Sequence, residues 1–317
     1  MTRIAAIGEV MIELSPYLTA QEETREIKAL SFAGDTYNTA VYMARLGVSA
    51  SYATALGDDP YSDQILEIMR AEGIGTELVT RVAERNPGLY IIHNSPEGER
   101  EFYYWRHEAP ARELFSDPTA SVKLYRQLEQ FDCVYLSGIT LAILAEGARE
   151  NLLQCLAKLR TKGVQIAFDS NYRPSLWDSV AQAQAAIKAA LHHTDIALLT
   201  LDDEHRLWGD DSIDGCITRY ADAKLKELVL KRGGDDTVVV VENETLQIAV
   251  DPVAQVIDTT AAGDTFNAGY LAARFQGVSA AEAARQGNRC AGIVIQHRGG
   301  VIPKELFSAE LFSQSSD

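Results

Sequence analysis

The sequence predicts an α/β protein, with a mostly parallel central sheet flanked by helices and a second, small β-sheet. Strand-like and helix-like segments alternate over most of the 317 residues, as crossover connections between parallel strands require. Two stretches, 11–33 and 86–112, break this alternation with short strand-like runs. Hydrophobic residues make up 46% of the chain, which is enough for a large core and excludes wholesale disorder.

The N-terminal part of the chain predicts strands and helices in turn. Glycines close both helix patterns, and a glycine-containing loop precedes the first of them. We expect strands at 3–10 and 50–56, the loop at 33–38, and helices at 39–46 and 61–72.

The aromatic runs 88–93 and 100–106 predict a β-hairpin connected by 94–99. We expect this hairpin to form one small sheet with 11–33. The small sheet, made of 11–33 and 86–112, would be a lid. The body of the protein would then consist of residues 1–10, 34–85 and 113–317.

After the hairpin the alternation resumes. Short β-branched runs predict strands, and longer alanine-rich or leucine-rich runs predict helices. The expected strands are 132–137, 164–169, 196–201, 227–231, 237–241, 245–250 and 253–257. The expected helices are 144–159, 180–192, 266–275 and 280–296.

Several of these strands end on polar residues, at 169–173, 200–204, 231–236 and 258–264. Each run has an ordinary explanation as a helix cap or a turn. Carboxyl ends of parallel strands meet at one edge of a sheet, where ligands bind in open α/β folds. Taken together, the polar ends favour a shared binding site.

The junction at 258–267 gives the most specific signal. Ala261, Ala262 and Gly263 are small and precede a helix pattern, so an anion could approach the free N–H groups of the first turn. Asp264 follows at once. Its carboxylate could simply cap the helix. At a helix N-terminus we expect its pKa to be lowered.

Composition and missing motifs exclude several classes of protein. The net charge of −16 argues against a nucleic-acid binder, which would need a basic surface. The chain contains no P-loop, G-x-G-x-x-G, H-E-x-x-H or G-x-S-x-G motif. The four cysteines have no metal-site spacing, so we expect them to be reduced and buried. Without a signal peptide or a membrane-spanning run, the expected location is the cytoplasm.

The stretch Asp258-Thr259-Thr260-Ala261-Ala262-Gly263-Asp264-Thr265-Phe266 resembles the C-terminal signature of the ribokinase-like (PfkB) carbohydrate kinases. Gly34-Asp35-Thr36-Tyr37-Asn38, with Leu46-Gly47 and Leu56-Gly57-Asp58-Asp59 after it, resembles their N-terminal signature. The resemblance covers essentially the whole chain. It implies a ribokinase-like fold and the transfer of a phosphoryl group from ATP, with Mg²⁺, to a sugar hydroxyl.

The resemblance also implies roles for individual residues. Asp264 would be the general base, and Ala261, Ala262 and Gly263 would form the anion hole for the γ-phosphoryl group. Glu204 would organise Mg²⁺ through water, although Leu201 stands where the family motif has Asn. The implied nucleotide-binding residues are Asn171, Arg173, Thr200, Lys231, Gly233, Gly234, Asp236, Ala261, Gly263 and Asn288. The resemblance does not decide whether a monovalent cation binds near the anion hole, as it does in some members of the family.

Gly88-Leu89-Tyr90, Tyr104-Trp105-Arg106 and Asn171-Tyr172-Arg173-Pro174 resemble members of the family that act on a sugar acid. Arg106 or Arg173 could hold a carboxylate, because guanidinium donors form a bidentate fork. The expected substrate-binding residues are Gly34, Asp35, Asn38, Tyr90, Tyr104, Arg106, Arg173 and Asp264.

Three alternatives remain open from the sequence. One is a sister kinase for another sugar, such as fructose or ribose, or for a related sugar acid. Another is a non-catalytic sugar-binding regulator, and the third is a nicotinamide-dependent oxidoreductase, against which the missing glycine fingerprint weighs. We also expect a homo-oligomer formed through the β-lid, because an open sheet edge tends to be covered.

Overall fold

The computed structural model describes residues 2–17, 27–94, 100–210 and 212–307. Their strands, in chain order, are β1 (Arg3–Ile7), β2 (Met11–Pro16), β3 (Lys28–Ala33), β4 (Ser49–Ala53), β5 (Ala55–Leu56), β6 (Thr80–Arg81), β7 (Leu89–Asn94), β8 (Arg100–Trp105), β9 (Cys133–Ser137), β10 (Gln165–Asp169), β11 (Ile196–Thr200), β12 (Glu227–Lys231), β13 (Thr237–Val241) and β14 (Glu244–Ile248).

The α-helices of the described ranges are α1 (Asp35–Arg45), α2 (Pro60–Ala71), α3 (Pro118–Leu128), α4 (Gly138–Ile143), α5 (Glu146–Thr161), α6 (Val180–Leu191), α7 (Leu201–Trp208), α8 (Ile213–Arg219), α9 (Ala262–Phe275) and α10 (Ala280–Val294). None of the described helices is long and apolar enough to cross a membrane. The four cysteines are buried and free, as expected.

An eight-stranded sheet forms the centre of the fold, in the order β14-β13-β12-β11-β10-β9-β1-β4. The six strands from β4 to β12 pair in parallel, and β13 and β14 add an antiparallel edge. Strand β1 lies between β4 and β9, so the direction in which the sheet grows reverses at β1. Open sheets bind ligands outside the carboxyl ends of strands near such a reversal.

Strands β3, β2, β7 and β8 form a separate four-stranded sheet in that order. They come from the two stretches that interrupt the α/β pattern, so the prediction of a parallel body with a small second sheet is confirmed. The division into body and lid at the predicted boundaries stays a prediction. Of the hairpin connection predicted at 94–99, Asn94 is the last residue of β7, and 95–99 lie outside the described residues.

Hydrophobic side chains pack on both faces of the main sheet. One cluster joins the sheet to α1, α9 and α10, and the other joins it to α5, α6 and their neighbours. Helices α9 and α10 approach closely at Gly269, where a Cβ would lie 2.7 Å from the sulfur of Cys290 and 3.0 Å from the Cα of Gly287. This contact fixes α9, the helix that carries Asp264, against the body.

The prediction of a strand at 253–257 is wrong. These residues form a loop in which Val256 and Ile257 are exposed. The N–H groups of Ile257 and Asp258 donate to the carbonyl of Ile295, after α10, and not to a neighbouring strand. The apolar β-branched residues in 253–257 therefore belong to a loop that is hydrogen-bonded to the end of α10, and not to a strand.

Other corrections concern helices. The loop predicted at 33–38 is already helical from Asp35, and the helix predicted at 266–275 begins earlier, at Ala262. The helix predicted at 144–159 is α5, which begins and ends two residues later, at Glu146 and Thr161. Helices α3, α4, α7 and α8 were not predicted. The last three have only six to eight residues, too few to show a helical period, whereas α3 has eleven residues and begins at Pro118.

Candidate active site

Asp264 lies in the first turn of α9 but does not cap it. The N-cap residue is Ala261, in the left-handed conformation with φ 59°, and no side chain of the described residues caps this helix end. A non-glycine residue rarely adopts that conformation, and such strain concentrates at functional sites. The uncapped first turn keeps N–H donors available beside the carboxylate.

Helix α1 holds this turn in place. The side-chain amide of Asn38 donates to Asp264 Oδ2 over 2.9 Å, and the hydroxyl of Thr39 donates to the carbonyl of Asp264 over 3.2 Å. Two predicted site residues, Asn38 and Asp264, are therefore in direct contact although 226 positions separate them.

The pKa of Asp264 is raised to about 8, mainly by burial and next by the negative charge of Asp35. Asp169 raises it further, whereas the hydrogen bond from Asn38 and the charge of Lys231 lower it. The expectation of a lowered pKa is therefore wrong, because burial among like charges outweighs the helix N-terminus. A carboxylate with such a pKa can exchange a proton near neutral pH.

Lys231 lies beside the same turn. Its ammonium group is buried and donates to Asp169 Oδ2 and Asn267 Oδ1, both at 2.9 Å. A Cβ placed on Gly263 would lie 3.6 Å from Lys231 Nζ. The positive charge therefore lies next to the proposed anion hole. Asp169 and Asn267 were not among the predicted site residues, although Asn267 follows Asp264 by one helical turn.

Asn171 joins the residues predicted for substrate to those predicted for the nucleotide. Its side-chain amide donates to Asp35 Oδ2 over 2.7 Å, and its backbone N–H donates over 3.0 Å to Asp169, the partner of Lys231. Gly34 precedes Asp35. A Cβ on Gly34 would lie 2.1 Å from the carbonyl oxygen of Glu9, so packing against that backbone requires glycine here.

The small sheet contributes Arg106, Tyr104 and Tyr90. Arg106 is buried and forms an ion pair with Glu9, which follows β1 and was not predicted. Its guanidinium carbon lies 5.6 Å from the ring centre of Tyr104, and the Tyr104 and Tyr90 rings are also 5.6 Å apart. The Tyr90 hydroxyl donates to the carboxylate of Glu13. Within the described residues, Glu9 Oε1 and Arg106 Nε are buried without a hydrogen-bond partner.

Arg173 approaches the same region from the body. Its side chain is 48% exposed, and it forms an ion pair with Asp203 at 3.7 Å. The charges of Arg106 and Arg173 both oppose the rise that burial causes in the pKa of Tyr104. Two arginines, one buried and one exposed, therefore act on one tyrosine of the small sheet.

The remaining predicted nucleotide residues lie at the end of β11, in the turn after β12 and in α10. Gly233 has φ 63° and Gly234 follows it in an exposed turn, with Asp236 beyond them before β13. Asn288 of α10 accepts a hydrogen bond from Thr237 over 2.8 Å. Thr200 is the N-cap residue of α7.

Glu204 is fully buried in α7. One carboxylate oxygen accepts from Arg219 at 2.9 Å and from Tyr220 at 2.7 Å. The other, Oε1, has no hydrogen-bond partner among the described residues. Burial raises the pKa of Glu204 to about 7. In the described ranges, no group of three or more His, Cys, Asp or Glu side chains could hold a metal ion.

The site combines an uncapped helix start, a carboxylate in its first turn and a buried cation, at the edge of a parallel sheet. This arrangement is that of a phosphotransferase that acts on a small molecule. The family model for the pfkB family carbohydrate kinases matches residues 1–305. The chain belongs to this family.

Named relatives agree with that assignment. The chain is 45% identical to the 2-dehydro-3-deoxygluconokinase of Escherichia coli K12, over 97% of this chain and 99% of that protein. It is 44% identical to the enzyme of the same name from Dickeya dadantii, over 96% and 98%. Its fold matches the crystal structure of an Escherichia coli protein described as a ribokinase II, in complex with ATP and Mg²⁺. That match has a TM-score of 0.83 and 21% identity, over 99% of both chains.

Proposed function

We propose that this protein is an ATP-dependent kinase that phosphorylates the 6-hydroxyl of 2-keto-3-deoxy-D-gluconate, within sugar-acid catabolism. The observation that carries the kinase chemistry is Asp264, held by Asn38 in the uncapped first turn of α9. Four relatives that are 39–45% identical to this chain over nearly its full length support this choice of substrate, because all four are named 2-dehydro-3-deoxygluconokinase.

The transfer step follows from the positions of these groups. The substrate hydroxyl lies against Asp264, and its oxygen forms a bond to the γ-phosphorus. The bond from that phosphorus to the β–γ bridging oxygen breaks, so ADP leaves with the electron pair, and Asp264 accepts the hydroxyl proton. The N–H donor of Gly263, in the uncapped first turn, stabilises the charge on the transferring group.

The side chains around the site fit a Mg²⁺ ion that is bound mainly by phosphates and water. Such an ion needs only one or two protein carboxylates. The unpartnered Glu204 Oε1 could accept a hydrogen bond from a metal-bound water. The ion would neutralise phosphate charge during transfer. A requirement for a monovalent cation is tested by measuring ADP formation after K⁺ is replaced by tetramethylammonium.

Arg106, Arg173, Tyr90 and Tyr104 would bind the sugar acid. Arg106 is already paired with Glu9, so we propose that Arg106 and Tyr104 recognise the C1 carboxylate together with the exposed Arg173. An Arg106→Ala change alone would leave Glu9 buried and unpaired. The appropriate variant is therefore Arg106→Met with Glu9→Gln. We expect it to lose most affinity for the acid and little for ATP.

The decisive experiment measures ADP formation with a panel of sugars and sugar acids. The panel includes fructose, ribose and the galactonate isomer of the proposed substrate, and Asp264→Asn is assayed in parallel. A preference for 2-keto-3-deoxygluconate supports the proposal. A preference for fructose or ribose would make the protein a sister kinase, and sugar binding without ADP formation would make it a regulator.

We further propose that the small sheet mediates a homo-oligomer. Its outer strand β8 exposes Tyr103 at 50% and Trp105 at 59%. Large exposed aromatic side chains on one strand are characteristic of an interface. Light scattering of a Trp105→Glu variant should then report a smaller particle than the unaltered protein.

A further inference from the structure

The side chain of Lys231 is buried and held by two hydrogen-bond partners, which a residue that only lines the nucleotide would not require. Its side chain is only 9% exposed, at the carboxyl end of β12. A buried ammonium group is costly unless charge and hydrogen bonds compensate it. Asp169 supplies the charge and Asn267 supplies a second acceptor, both at 2.9 Å. An ammonium group has three donors, so one is left after these two bonds.

The ammonium group lies next to Gly263. A Cβ on this residue would approach Nζ to 3.6 Å, which is an ordinary van der Waals contact. Because Gly263 has no side chain, an anion on the first turn of α9 could also contact Lys231. Any larger residue at 263 would intervene between the cation and that anion.

Asn267 connects this cation to the proposed base. It lies three residues after Asp264, on the same face of α9. Its amide donates to Asp169 Oδ2 over 2.6 Å and to the hydroxyl of Tyr135 over 3.0 Å. All three side chains are buried, so the position of Nζ is fixed relative to the helix start.

We propose that Lys231 donates its third hydrogen bond to the γ-phosphoryl group in the anion hole, and that Asp169 and Asn267 position its ammonium group. This inference rests on the proposed kinase function and deepens it. While the sugar oxygen bonds to phosphorus and ADP leaves with the bridging electron pair, Lys231 stabilises the equatorial oxygens. The hydroxyl proton still goes to Asp264, while Lys231 keeps its ion pair with Asp169 and donates to the phosphoryl group.

This role differs from a contact with ribose or base. A cation at the γ-phosphoryl group distinguishes ATP from ADP, whereas a contact with ribose or base affects both equally. Removing a preorganised donor at a transferring group costs roughly 10²–10³ in kcat. Losing a charged hydrogen bond to the γ-phosphate in the ground state costs roughly tenfold or more in affinity.

The test compares the unaltered protein with the double variant Asp169→Asn/Lys231→Met. The double variant removes the buried cation together with its buried counter-charge, so neither group is left unpaired. Calorimetry measures binding of ADP and of a non-hydrolysable ATP analogue, and thermal melts confirm folding. Lys226→Met is the control, because Lys226 lies just before the same strand and its side chain is 61% exposed.

We expect the double variant to bind ADP within about twofold of the unaltered protein but to lose roughly tenfold or more in affinity for the ATP analogue. Equal losses for both nucleotides, or unchanged binding of both, would overturn the proposal. The binding measurements do not depend on the sugar. If the unaltered protein forms no ADP with any sugar acid, the proposed function fails while the role of Lys231 is still decided.

The positioning role of Asn267 has its own readout. Asn267→Leu should lower kcat and move the acid limb of its pH profile to higher pH, since Asp264 then loses part of the effect of Lys231 while Asp169 and Asp35 still face it. A structural role alone would lower the melting temperature without moving that limb. An unmoved limb would remove Asn267 from the proposal.

Discussion

Asp264→Asn should stabilise the protein while abolishing its activity. The pKa of Asp264 is raised from 3.8 to about 8, so the folded protein resists ionisation of this group. Between those two values the folded state binds more protons than the unfolded state, and the free energy of unfolding therefore falls as pH rises. Asparagine carries no charge, and its carbonyl oxygen can still accept the hydrogen bond from Asn38.

The magnitude follows from the interval between the two pKa values. Each pH unit above the unfolded pKa costs about 1.4 kcal/mol until the folded pKa is reached, so the full effect at pH 7 is about 4 kcal/mol. The carboxylate is partly exposed, and water screens part of its charge. We therefore expect Asp264→Asn to raise the free energy of unfolding by about 2 kcal/mol at pH 7.

Urea unfolding at pH 5, 7 and 8.5 measures this difference. The gain should be less than about 1 kcal/mol at pH 5, grow up to about pH 8 and then level off. Asp63 is the matched control because it also lies in the first turn of a helix, and its side chain is 62% exposed. Asp63→Asn should be slightly destabilising, by up to about 1 kcal/mol, since it removes a charge that favours a helix start.

A variant Asp264→Asn that is less stable than the unaltered protein at pH 7 would refute the reasoning. So would a gain that does not depend on pH. Either result would mean that the helix N-terminus, and not burial, dominates the energy of this carboxylate.

Three further predictions concern the same site. Gly263→Ala should keep or slightly raise the melting temperature, because alanine favours a helix by about 1 kcal/mol, yet lower kcat by at least about tenfold, because the methyl group separates Lys231 from the anion hole. A kcat that is unchanged in Gly263→Ala would contradict this position for the phosphoryl group. Asn38→Ala should move the acid limb of kcat, expected near pH 8 for ionisation of Asp264, to higher pH, since the hydrogen bond that lowers its pKa is lost. A limb that moves to lower pH would argue against that bond. Ala261→Gly should stabilise the protein by up to about 1 kcal/mol in urea unfolding, because glycine tolerates φ 59°, and a loss of stability would mean that no strain is present.

The fold could be predicted from the sequence because its signals are local. Alternating apolar runs and helix stops gave the strands and helices of the body within a few residues. Prediction failed where local signals mislead or are too short. Residues 253–257 have the composition of a strand but pair with no neighbouring strand, and α4, α7 and α8 have too few residues to show a helical period.

The candidate site was only partly predictable. Asp264 and Asn38 were identified through their motifs, and the structure places them 2.9 Å apart. Glu9 and Asp169 were missed as site residues, although each follows or ends a strand of the parallel sheet. The polar strand ends could have suggested them, but nothing local pairs Glu9 with Arg106 or Asp169 with Lys231.

The sequence by itself determined the class of fold and the junction of small residues that precedes Asp264 and its helix, because backbone geometry and side-chain type are local properties. Only the tertiary structure decided which polar residues meet. Strand β11 separates β10 from β12, and Asp169 and Lys231 nevertheless meet past the ends of those strands. It also decided the sign of the pKa shift at Asp264, because burial and the charges of Asp35 and Asp169 depend on residues far away in the chain.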